Sequence, residues 1–90
     1  MRTVLPLLAE YLGTFLLTLS YLAIPNPFAI ATIFLVTLLL IIPVSGACIN
    51  PAIAFSMFLY GKLGATEAML YIAMEVLAGF SAFYLFKLIE

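Results

Sequence analysis

Hydrophobic positions in this chain neither alternate nor form stripes; they run on. From Val4 to Ile24 the only charged side chain is Glu10, from Phe28 to Val44 there is none, and from Ala68 to Phe86 the only one is Glu75. A helix needs roughly 17–25 apolar residues to cross a hydrocarbon layer of about 30 Å. The pattern therefore predicts three membrane-spanning helices, over about residues 4–24, 28–44 and 67–88. The breaks agree with this. In Ile24-Pro25-Asn26-Pro27 two prolines remove amide donors and fix φ, which ends the first helix. Gly61 to Thr66 is the other polar connection, with Thr66 expected as N-cap and Glu67 at the positive end of the third span.

The stretch from Ser45 to Tyr60 fits neither category. Ser45-Gly46-Ala47-Cys48-Ile49 reads as irregular backbone, and then Asn50-Pro51 announces a helix, Asn as a preferred cap and Pro at the first helical position. That helix would run to about Tyr60, where Gly61 can close it. It covers about 15 Å and cannot span. Its residues are apolar all round, with no charged face to rest on a membrane surface. A re-entrant segment over about residues 45–60 is the expectation, since irregular backbone at that depth must be buried in protein or line a watery cavity. The fold class is all-α integral membrane: three transmembrane helices plus one re-entrant half-helix, in a single domain over residues 1–90.

Composition supports this. Of 90 residues 68% are hydrophobic and only 8% charged, where a soluble domain carries roughly 25% charged. The net charge of −1 offers nucleic acid no basic surface. No histidine is present, which removes the Ser-His-Asp triad and the common zinc sites. No enzyme activity and no cofactor are expected. Arg2 ahead of an apolar run is compatible with a signal peptide, but Glu10 would then interrupt its apolar core, and no small-residue cleavage site precedes Pro25.

Ser45-Gly46-Ala47, followed after two residues by Asn50-Pro51-Ala52, resembles the signature of the major intrinsic proteins, the aquaporins and glycerol facilitators. Glu10-x-x-x-Thr14 is similar to the family's first-helix motif, and Glu75 falls where the family often carries Gln. Two inverted repeats, each of three helices plus a half-helix, make up a family member; this chain resembles one such half. The resemblance implies that two half-helices meet at mid-membrane, Asn50 donating to permeants while the helix N-termini repel cations. It implies a permeant-binding set of Gly46, Ala47, Cys48, Asn50, Pro51 and Ala52. Carried across, the selectivity filter would comprise Ile30, Ala47 and Ile53, with Leu38 for the counterpart helix; none has a side-chain donor. Glu10, Thr14 and Glu75 would brace the loop.

One copy would supply half a pore, so the partner implied is an inverted second copy, within a homo-oligomer in a cell or plasma membrane. Arg2 and Lys62 fall on one side and Lys87 on the other, a two-to-one basic bias that permits both orientations. Three functional readings follow: a passive channel for water or small neutral solutes, including glycerol-like molecules and gases; a non-conducting scaffold of the same fold; and a small dual-topology proton-coupled exporter using Glu10, since an intramembrane carboxylate is a functional candidate by default. Ala9-x-x-x-Gly13 and Ala78-x-x-x-Ala82 are small-residue spacings suited to close helix packing.

Overall fold

Four helices make up the computed structural model, which describes residues 4–90: α1 (Val4–Ala23), α2 (Pro27–Ser45), α3 (Pro51–Tyr60) and α4 (Ala65–Ile89). Three are long and apolar enough to cross a membrane, at 20, 19 and 25 residues. With 10 residues, α3 is half that length. Arg2, counted above toward the basic bias, lies outside the described residues.

The helix ends follow one local rule used twice. Asn26 sits extended ahead of α2 and its side chain accepts from the amides of Phe28 and Ala29, with Pro27 in the first turn. Asn50 does the same for α3, accepting from Ala52 at 2.7 Å ahead of Pro51. Both helices close on a left-handed glycine, Gly46 at φ 85° and Gly61 at φ 89°, a conformation open to glycine without a Cβ penalty. The last helix differs from expectation. Its cap is Gly64, and Thr66 lies inside the first turn; the carboxylate of Glu67 accepts from the Gly64 amide at 3.3 Å. An acid three residues past the cap satisfies that donor better than a hydroxyl two residues in.

α1 is central. It packs along α2 on one flank and α4 on the other, while α3 lies against α4. Small residues permit these approaches: Ala78 and Ala82 on α4 are fully buried, and Gly13 lies where α1 meets α2 and the loop. A Cβ on Gly13 would sit 2.7 Å from Ile41 Cδ1, 3.0 Å from Ile49 Cγ2 and 3.2 Å from Thr37 Cγ2. Tyr11 ties α1 to α4 by donating to Ser81 Oγ at 2.6 Å. We expect Gly13→Ala to be absorbed largely by the flexible end of Ile41. Gly13→Leu should cost about 1–3 kcal/mol of overpacking, seen as a lower melting temperature in detergent.

Much of the remaining surface is apolar and exposed, including Leu35, Val36, Leu39 and Leu40 on α2. That is the surface of a protein whose solvent is lipid or another hydrophobic chain. Helices with backbone donors satisfied internally are the form such a protein must take.

Candidate functional site

Between α2 and α3 the chain dips into the bundle, and its amides have to find partners there. Glu10, fully buried on α1, supplies them. Its Oε2 accepts from Cys48 N at 3.0 Å and from Ser45 Oγ at 2.6 Å; its Oε1 accepts from Ile49 N at 2.7 Å. Ser45 Oγ in turn accepts from Ala47 N at 3.1 Å, and the Ser45 carbonyl accepts from the Tyr71 hydroxyl of α4 at 3.0 Å. To present consecutive amides to one carboxylate the backbone turns left-handed at Ala47 (φ 51°) and Ile49 (φ 39°). For residues with a Cβ that conformation is disfavoured, and Ile is β-branched, so the bonds to Glu10 hold the loop against local strain.

The loop delivers Asn50 to the floor of a groove of about 570 Å³. Leu17 and Tyr21 from α1 and Ile30, Ala31 and Phe34 from α2 form its walls. Only Tyr21 and Asn50 among the lining residues carry polar side chains. Asn50 Oδ1 is engaged in capping α3, so its amide nitrogen is the group left for the groove. The N-terminus of α3 adds its partial positive charge at the same place.

Several site residues expected from the sequence are thus brought together and others are not. Asn50 and Ile30 share the groove, and Pro51 and Ala52 are exposed at the start of α3 beside it. Gly46 is exposed at the entry of the loop, where with Ser45, Cys48, Met57 and Lys62 it borders a separate cavity of about 320 Å³. Ala47 is buried and Ile53 is 40% exposed; neither lines the groove, and Leu38 stands one turn beyond Phe34, outside it. Cys48 does not line the groove: the residue is 3% exposed, packed with Ala54 and Tyr71. Directing the Cys48 amide into Glu10 turns its side chain toward α3 and α4. The buried hydroxyl of Thr14 has no hydrogen-bond partner among the described residues. Glu75 is buried beside Glu10 without accepting from the loop at hydrogen-bonding geometry. Leu17, Tyr21 and Phe34 are groove residues the sequence reading did not select; the i, i+4 spacings Leu17–Tyr21 and Ile30–Phe34 were the available signal.

Residues 18–90 match the family model described as Major intrinsic protein, which bears out the resemblance carried by the loop residues. The match begins after Glu10 and Thr14. No curated protein and no solved structure matches the chain.

Proposed function

The chain belongs to the major intrinsic protein family, and we propose that it forms a passive pore for water or small neutral solutes, completed by an inverted second copy. Members of this family are membrane channels and not enzymes, and the three apolar spans make this an integral membrane protein. The supporting observation is the groove that ends on Asn50 at the N-terminus of a half-length helix. One such helix covers about 15 Å, and two end to end cover the hydrocarbon thickness of about 30 Å. An inverted copy brings a second Asn50 to the same depth and closes the open side of the groove. A parallel copy would leave the second leaflet without a matching half.

In that pore Asn50 donates to the permeant from its amide nitrogen, while two opposed helix N-termini disfavour cations. Tyr21 offers a hydroxyl along an otherwise apolar wall of Leu17, Ile30 and Phe34. Such a wall suits small uncharged molecules and provides no fixed charge for ions. Cell or plasma membrane is the proposed location.

Stopped-flow light scattering on proteoliposomes tests the reading. The wild-type chain should accelerate the osmotic response well above that of empty vesicles. Asn50→Asp should keep the α3 cap, since a carboxylate accepts from Ala52 equally well, while placing negative charge in the groove. We expect it to admit a cation leak, read by vesicle depolarisation. Wild-type vesicles that respond no faster than empty ones would leave the chain a scaffold; unchanged permeation with no leak in Asn50→Asp would remove Asn50 from the pore.

A further inference from the structure

Two buried carboxyl groups stand side by side in this bundle, and only one has its hydrogen bonds accounted for. Glu10 accepts three, from Ser45 Oγ, Cys48 N and Ile49 N. Glu75 is 2% exposed, and neither of its oxygens meets a donor among the described residues at hydrogen-bonding geometry. Beside it lie the Glu10 carboxyl and the backbone N–H of Asn50. The other titratable groups around it are the Cys48 thiol from the loop and the Tyr71 hydroxyl from its own helix; the latter is committed to the Ser45 carbonyl. The one ion pair among the described residues, Lys87–Glu90, is at the end of α4.

An ionised carboxylate has about four acceptor positions and no donor. Three of those on Glu10 are filled, which leaves one, on Oε1. Two ionised carboxylates in contact repel each other in a low-dielectric interior where each is already costly to bury. The arrangement closes if Glu75 carries a proton. One of its oxygens then donates to the open position on Glu10.

We propose that Glu75 is a neutral carboxylic acid that donates to Glu10 and so positions the carboxylate that holds the loop ahead of Asn50. The Glu10 carboxylate, and through it the loop that leads to Asn50, is then fixed from α4 as well as from α1. The protonation state stands on the burial of both acids, their contact and the absence of any other donor to Glu75 among the described residues; its consequence for permeation rests on the pore proposed above.

Infrared spectroscopy on the reconstituted full chain reads the proton directly. At neutral pH the wild-type protein should show a carboxylic-acid C=O band above the amide I region, shifting down in D2O, and Glu75→Gln should lose it. Gln offers a donor and an acceptor without a titrating proton, so Glu75→Gln should keep the wild-type melting temperature and permeation. Glu75→Leu, which offers neither, should lower both. Absence of the band from the wild type, or its persistence in Glu75→Gln, would overturn the assignment of the proton. A Glu75→Gln protein as impaired as Glu75→Leu would overturn the positioning role. If the wild-type chain proves impermeable, the band and the order of melting temperatures still decide the proposal.

Discussion

Glu10→Leu should abolish permeation and prevent the α2–α3 loop from holding its shape. Leucine is close to glutamate in volume, so packing against the loop changes little. What goes is the acceptor for three donors: the amides of Cys48 and Ile49 and the hydroxyl of Ser45. Each buried donor left unsatisfied costs about 1–3 kcal/mol, and hydrogen bonds to a charged group are at the upper end of their class. The total is about 3 kcal/mol or more, and the same bonds help hold the left-handed backbone at Ala47 and Ile49. The expected measurements are a melting temperature far below wild type in detergent and proteoliposomes that behave as empty ones. Glu10→Gln is the informative companion. Its one remaining oxygen can still accept from the loop, so it should keep partial permeation with reduced thermal stability. Wild-type stability with complete loss of a pH-gradient-driven flux would instead identify Glu10 as a coupling site and favour the exporter reading.

Pinning every copy in one orientation should also silence the protein. Two lysines added beside Arg2 strengthen the basic side and fix insertion by the positive-inside rule. Without inverted partners, each groove would lack its second wall and each Asn50 its counterpart. Osmotic permeability should fall to that of empty vesicles while the protein stays folded and membrane-bound. Co-expression with a variant carrying extra lysines beside Lys87, biased the other way, should restore it. The ion pair of Lys87 with Glu90, at 2.9 Å, does not weaken this design, because acidic residues contribute little to orientation. Full activity from a uniformly oriented population would exclude the antiparallel pair.

The elements themselves were legible because prolines and asparagines mark their ends. Asn50-Pro51 and Gly61 bound α3 on local chemistry alone, and the long uncharged runs carried the spans. Asn26 shows where such reading falls short: flanked by two prolines, it reads as part of the break that ends the first helix, although the same atoms cap α2 that cap α3. The groove was hidden for a different reason. α2 carries no charge, and Thr32 and Thr37 donate back to carbonyls of their own helix, so no polar stripe separates the face of Ile30 and Phe34 from the face that meets lipid. Where the side chains of Cys48 and Thr14 turn is not legible either, because a motif gives position along the chain and not the direction of a side chain. The meeting of Glu75 with Glu10 is a product of α1 packing on α4, and neither residue's neighbours in sequence announce it.

The distance along the chain between Glu10 and the amides it serves, 38 and 39 residues, has a consequence for biogenesis. The first helix is synthesised, and is ready to leave the insertion machinery, before any group that will bond its carboxylate exists. Tyr71 and Glu75 follow later still. Assembly must therefore proceed with an acid exposed in or near the bilayer until the re-entrant segment is made, and the segment settles only once α4 has docked. A nascent chain halted before Tyr71 should present an α2–α3 loop open to protease that the finished chain protects, which makes the central loop the last part of the molecule to mature.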